Sequence, residues 1–292
     1  MYIAKVKNAQ GDILTLTDDE SKFQLYDITG LSEPKAALNW MNVATLDGAV
    51  LNSARLEKRN LVLYIRINGN VEANRHLLYS MFRTKEKVTF YYSNKTVDVC
   101  IDGYVESVDC PLFTNNEVMQ ISILCPDPYF KALDSTIVAL SDSVGSFSFP
   151  FAINKNDPVA VSEFVANRTA TIVNASQAYL GMIITINVHD DAPDGFVTDI
   201  KITDQTTGEY FLLDGAYYES DAKIIICTIP GKKSVKSHID GSVYNELSNV
   251  NPASTFLQLP VGESVFSYSA ADGAADQYID VTFEFTYQYR GV

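Results

Sequence analysis

Seven side chains of this 292-residue chain could hold a soft metal or act as nucleophiles: His76, His189, His238, Cys100, Cys110, Cys125 and Cys227. Structural zinc needs such ligands in close pairs. None of the histidines has another His or Cys at that spacing, and nine and fourteen residues separate Cys100, Cys110 and Cys125. Four cysteines are too few for a disulfide scaffold of this length, so free, mostly buried thiols are expected. His189-Asp190-Asp191-Ala192-Pro193-Asp194-Gly195 gathers three carboxylates, a set that suits calcium, but its spacing is not that of an EF-hand, and a solvated loop is the simpler reading. Asp214-Gly215-Ala216-Tyr217-Tyr218 could offer aromatic faces to a sugar, although tyrosines are equally ordinary in strands and interfaces. No nucleophile elbow, phosphate loop, dinucleotide fingerprint or zinc-protease motif is present in the sequence. No catalytic, cofactor-binding or metal-binding residue is assigned. A cell-wall hydrolase built from scattered carboxylates has no motif in its favour.

The elements that would carry these residues are strands. Val, Ile and Thr number 26, 22 and 20, and with 33 aromatic residues they give a composition suited to pleated, half-buried surfaces. The chain is therefore expected to be mainly β. A formal charge of -14 opposes phosphate neutralisation, which disfavours DNA grip or attachment to anionic membranes. No apolar run approaches the roughly 20 residues needed to span a bilayer. Met1 to Asp12 contains Lys5 and Lys7 without a following hydrophobic block, so no secretory signal is expected and the cytoplasm is the expected site of synthesis.

Cys125-Pro126-Asp127-Pro128-Tyr129-Phe130 marks the expected division into modules 1-128 and 129-292, because two prolines interrupt ladder hydrogen bonding. In the first module, Ile13–Thr17 and Phe23–Ile28 flank a polar cluster and are expected to form a hairpin. Asp47-Gly48, between Asn42–Leu46 and Ala49–Leu56, predicts a second and longer hairpin. Leu77, Leu78, Met81 and Phe82 fall at helical spacing and predict a helix over Glu72–Lys87. Strands are expected at Val88–Tyr92, Thr96–Ile101, Tyr104–Val108 and Val118–Leu124, with Asp102-Gly103 as a break. Charge here is segregated: residues 55–95 carry nine basic and three acidic side chains, and 96–128 carry six acids and no Lys or Arg. The two blocks could pair within one module, or a basic face of one copy could meet an acidic face of the next in a head-to-tail ring. On the second reading Arg55, Lys58, Arg59 and Arg66 lie at the contact between protomers.

The second module shows short strands between glycine-bearing turns, the pattern of an antiparallel sandwich. Expected strands are Ile137–Leu140, Phe147–Phe151, Val161–Val165, Thr171–Asn174, Met182–Val188, Asp199–Thr203, Glu209–Leu213, Lys223–Thr228, Ser234–Ile239 and Val281–Tyr289. The last alternates over nine residues and predicts one long strand with Val281, Phe283, Phe285, Tyr287 and Tyr289 on a single face.

These segments together resemble the siphophage-type distal tail proteins. The likeness rests on Leu16-Thr17-Asp18, Leu25-Tyr26-Asp27-Ile28-Thr29-Gly30-Leu31, Asp47-Gly48, Asn74-Arg75 to Phe82, and Cys125-Pro126-Asp127-Pro128-Tyr129-Phe130. It continues with Thr206-Thr207-Gly208-Glu209, Ile229-Pro230-Gly231-Lys232-Lys233-Ser234-Val235, Asp240-Gly241 and Tyr287-Gln288-Tyr289-Arg290-Gly291-Val292. The resemblance implies an N-terminal β-sandwich-like module with one helix and an extended hairpin, and a C-terminal galectin-like antiparallel β-sandwich. It implies a homohexamer that joins the tail tube protein to tail-tip or tail-associated proteins, docks receptor-binding protein, and lets DNA pass through its lumen without specific binding. It implies a place in the virion tail tip after synthesis in the host bacterial cytoplasm, and no enzymatic activity. The contrasting reading from the residues alone is a carbohydrate-binding, lectin-like β-sandwich.

Overall fold

The computed structural model describes residues 2–18, 20–42, 44, 47–111, 117–140, 142–145, 162–165, 169–189, 195–271 and 278–292. The strand expected at Phe147–Phe151 and the carboxylates Asp190, Asp191 and Asp194 lie outside them. The chain is mainly β and divides into two units, 1–133 with 288–292, and 134–287.

The first unit contains, in chain order, β1 (Ile3–Lys7), β2 (Ile13–Thr15), β3 (Phe23–Thr29), β4 (Ala36–Met41), β5 (Val50–Leu56), β6 (Arg59–Ile67), α1 (Val71–Met81), β7 (Lys87–Ser93), β8 (Asp98–Asp109), β9 (Val118–Cys125) and β10 (Phe130–Ala132). Its main sheet has the order β2-β1-β7-β8-β9-β6-β3, and β10 pairs with both β8 and the short strand Gln288–Tyr289. Strand periodicity places Leu61, Leu63, Ile65 and Ile67 of β6 in the core, with Val62, Tyr64 and Arg66 on the opposite face. The sheet folds over on itself, for the Tyr2 hydroxyl beside β1 donates to the Leu25 carbonyl of β3 at 3.4 Å.

Three expectations for this unit are corrected. β2 pairs with β1, an unpredicted strand, and β3 pairs with β6, so Ile13–Thr17 and Phe23–Ile28 form no hairpin with each other. Helix α1 ends at Met81: Lys85 turns to φ 73°, and its N–H bonds the Val105 carbonyl at 2.9 Å, which draws the chain toward β8. Leu78, Met81 and Phe82 are buried as the spacing predicts, while Leu77 is exposed. Asp102-Gly103 does not interrupt β8. Gly103 is there because a Cβ would stand 2.5 Å from Ile123 Cγ2 and 2.8 Å from Cys125 Sγ.

The second unit is an antiparallel sandwich. One sheet runs Thr136–Ala139, Ile279–Phe285, Ile183–Val188, Lys223–Cys227, Ser234–Ile239, Ser242–Asn245, and the other runs Thr169–Asn174, Gly262–Ser269, Lys201–Asp204, Tyr210–Leu212. Ile184, Ile186, Ile224, Ile226, Val281 and Phe283 of the first sheet share a core with Ile172, Ile202, Phe211 and Phe266 of the second.

The expected boundary also moves. Phe130 is fully buried in the first unit's core and β10 extends the β8 edge, so the division falls after Leu133 rather than Pro128. The long final strand stops at Phe285. Gln288 and Tyr289 return to pair with β10, so the terminal segment belongs to the first unit.

Candidate functional site

The sequence-level candidates cluster around β4, β5 and the start of β6, and the structure separates them. Arg59 is only 3% exposed. Its Nε donates to the Pro128 carbonyl at 2.8 Å, one Nη to the carbonyls of Gly30 and Ser32, the other Nη to the Arg290 carbonyl. The guanidinium carbon also lies 4.5 Å from the centre of the Phe130 ring. Burial lowers the Arg59 pKa while Cys125 opposes the shift, yet a guanidinium stays charged at any pH where proteins fold. The fork of donors, matched to carbonyls from three chain segments, is thus occupied inside the protomer. Arg59 is thereby the least accessible of the four residues expected at the contact between protomers.

Arg55 and Lys58 are exposed and make no ion pair among the described residues. Arg66 is half-buried on the outer face of β6, donating to Gln24 at 3.3 Å and lying 5.6 Å from the exposed ring of Tyr26. Part of the charge segregation is answered within the unit. β7 and β8 are neighbours, and Lys87 pairs with Asp102 at 2.8 Å; Arg75 on α1 approaches Glu117 at 3.8 Å. Arg55 and Lys58, like Lys85 and Lys95 elsewhere in the basic block, are exposed cations left over for a partner, and they are the two at the root of the β4–β5 hairpin.

The feature not singled out by residue in the sequence is the surface of the second hairpin. β4 and β5 form a separate two-stranded ribbon, continued at its root by the Glu57 N–H to Lys35 carbonyl bond of 2.8 Å. The hairpin expected around Asp47-Gly48 is present, but its first strand is Ala36–Met41 rather than Asn42–Leu46: Met41 faces Val50, so Gly48, at φ 92°, lies in the longer connection between them and not in a two-residue turn. Leu38, Trp40, Met41, Val50 and Leu51 are each between 47% and 55% exposed. Trp40 faces Leu51 and Met41 faces Val50 across the ribbon. A lone hairpin is marginal in water, and a cluster of large apolar side chains on it marks an association surface. Apolar pairs on both sides of the Asp-Gly turn, Trp40-Met41 and Val50-Leu51, were the signal that could have found it.

The remaining candidates are chemically quiet. All four cysteines are free; Cys125 alone is buried, the others being half-buried rather than mostly buried as expected. Burial pushes the Cys125 thiol up to about 12 and raises Cys100 and Cys110, the reverse of what a thiolate nucleophile requires. Among the described residues no group of His, Cys, Asp and Glu is arranged to hold a metal. His76 lies 3.4 Å from Glu72 on the helix surface, and His189 lies 2.9 Å from Asp280. In the aromatic cluster, Tyr218 is buried, which removes it from any sugar platform; Tyr217 is 69% exposed and packs edge-on against Phe196 at 5.1 Å.

No protein-family model matches the chain, and no curated protein matches its sequence. Among solved structures it is similar to the Dit protein (gp 19.1) of phage SPP1, a paradigm of the hub adsorption apparatus in phages that infect Gram-positive hosts. The TM-score is 0.67 at 11% identity, covering 98% of both chains. It is also similar to a chain of the phage P2 baseplate in its activated conformation with Ca, with a TM-score of 0.51 and 12% identity over 100% of both chains. The chain therefore has the distal-tail-protein fold across both of its units, as the sequence resemblance implied.

Proposed function

We propose that this protein is a distal tail protein, the baseplate hub of a tailed phage or prophage. Six copies close a ring that joins the tail tube to the tail tip, and the C-terminal, galectin-like sandwich docks receptor-binding or other baseplate proteins. The observation that carries the reading is the match to the SPP1 hub protein over 98% of both chains, both units included.

The β4–β5 ribbon supports it. A closed ring uses a heterologous contact, in which one patch of each copy meets a different patch of the next. An apolar arm that has no core of its own is suited to lie against a neighbouring copy, with Arg55 and Lys58 near its root steering it toward an acidic surface. The overall charge of -14 suits a ring through which DNA slides without being gripped. Such a protein works by geometry and breaks no bonds. Its place is the virion tail tip, following synthesis in the host cytoplasm.

Size-exclusion chromatography with light scattering tests the ring, alone and with tail-tube protein present. Six copies of the 32.3 kDa chain give a particle of about 190 kDa. Negative-stain images of the same sample should show six-fold rings. A monomer in both conditions, bound to oligosaccharide, would instead support the lectin-like alternative.

A further inference from the structure

Gly30 and Ser32 precede β4, and Arg59 opens β6 just after β5, so both roots of the ribbon converge on one guanidinium. The same guanidinium holds the Arg290 carbonyl, and the Val292 N–H bonds the Leu31 carbonyl at 3.1 Å. Gly291 sits so close that a Cβ would stand 3.3 Å from the Leu31 oxygen and 3.4 Å from the Glu33 nitrogen. Beneath them Phe130 is fully buried, with its ring against Arg59 and its backbone paired to Tyr289.

We infer that Arg59 is the positioning residue of the β4–β5 arm, clamping its root to residues Arg290–Val292, so that the arm is set for assembly only once that segment has docked. The inference rests on the arm being the ring contact, as proposed above, but the clamp itself can be tested without a ring.

Trp40 is the only tryptophan of the chain and stands on the arm, so its fluorescence anisotropy decay reports arm motion directly. Two variants serve: deletion of residues 290–292, and the milder Gly291→Val, which pushes the segment away from Leu31 and leaves Arg59 in place. The Trp40 decays are measured at dilutions where the wild-type chain is monomeric, and association at concentrations where it assembles. The expected result is a new nanosecond component in the Trp40 decay. The association constant between copies should also fall roughly tenfold or more, the equivalent of one charge-assisted hydrogen bond. A residue that merely stabilises the fold would lower the melting temperature and leave the native Trp40 decay unchanged. Should the deletion fail to fold, Gly291→Val decides the matter. Wild-type decay and wild-type assembly in Gly291→Val would overturn the clamp. A loosened Trp40 in variants of a chain that never forms rings would uphold the clamp and refute the ring, so the two failures are distinct.

Discussion

Arg59 and Arg290, 231 residues apart in the chain, are joined by a hydrogen bond from the guanidinium of the first to the backbone carbonyl of the second. The bond ties the start of β6 to a segment reached only after the entire second unit has been traversed. It is one of four bonds that the buried Arg59 side chain donates to backbone carbonyls. The residues that own those carbonyls are half-buried or, at Ser32, exposed, so water replaces part of what is lost; with a bond to a charged group worth about 1.5–3 kcal/mol, Arg59→Met should destabilise the first unit by about 3 kcal/mol in total. Arg59→Lys should recover only part of this, because one ammonium cannot reach carbonyls from three segments. Equal denaturation midpoints for wild type and Arg59→Met would contradict the network.

The apolar arm predicts a separation of assembly from stability. Trp40 and Leu51 face each other and are 55% and 47% exposed. A Trp40→Ser, Leu51→Ser double variant should change the melting free energy by no more than about 0.5 kcal/mol per site. Its light-scattering mass should nevertheless drop from that of the ring to that of a single chain. A ring that persists in the variant would mean that the arm is not the contact.

Gly103 predicts a local cost of a different kind. An added methyl meets Ile123, Cys125 and the Leu124 carbonyl, at 3.0 Å for the last, and the backbone oxygen cannot step aside. Gly103→Ala should destabilise by about 1–3 kcal/mol, as overpacking of a filled core does. Urea unfolding measures it directly, and a neutral result would show that β8 and β9 can part without penalty.

Much of this architecture was legible because strand alternation and turn chemistry are local. The presence of a hairpin around Asp47-Gly48, though not its first strand or turn length, the burial of Leu78, Met81 and Phe82, and most of the second unit's strands follow from spacing alone. Pairing partners were not legible where they are distant. Nothing near Phe23 indicates that Ile67 is its neighbour, and Asp102-Gly103 reads as a turn until the packing against Ile123 is seen. Arg59 is the sharpest case. Beside Arg55 and Lys58 it reads as one more surface cation, since its four acceptors are backbone carbonyls that no residue type announces. The final alternating run failed for a related reason: Phe285 fills the second unit's core, while Tyr289 packs with the first unit.

With Arg59 assigned to the fold, the charge test of the ring must leave it intact. Arg55→Glu combined with Lys58→Glu alters two exposed side chains and should leave the melting temperature unchanged within about 2–4 °C. If these cations steer the arm, the variant should associate more slowly than wild type at low salt. The two rates should converge as ionic strength rises past about 0.15 M, where the Debye length is near 8 Å. Slowing that is independent of salt would assign the effect to shape rather than charge.

The pair Lys87 and Asp102 gives a pH signature for the first unit. Its Nζ to Oδ2 distance is 2.8 Å, and Thr89 donates to the same carboxylate at 2.7 Å. Burial pushes the Asp102 pKa up, but the Lys87 and Thr89 hydrogen bonds and the charges of Lys87 and Lys131 outweigh it, leaving the value lowered. Lys87 is raised, first by its hydrogen bond to Asp102. The depressed carboxylate stabilises the fold above its unfolded value of about 3.9, and that contribution is lost as pH falls through the lower folded value. The raised ammonium stabilises below about 10.4, and its contribution is lost as pH climbs through the higher folded value. Both side chains are about half exposed, so solvent holds the coupling to under about 1 kcal/mol. The stability difference between wild type and Asp102→Asn should therefore be flat from about pH 5 to 9 and shrink toward both extremes. Chemical denaturation across that range checks it, and a difference that stays constant down to pH 2 would show that the pair carries no linked proton.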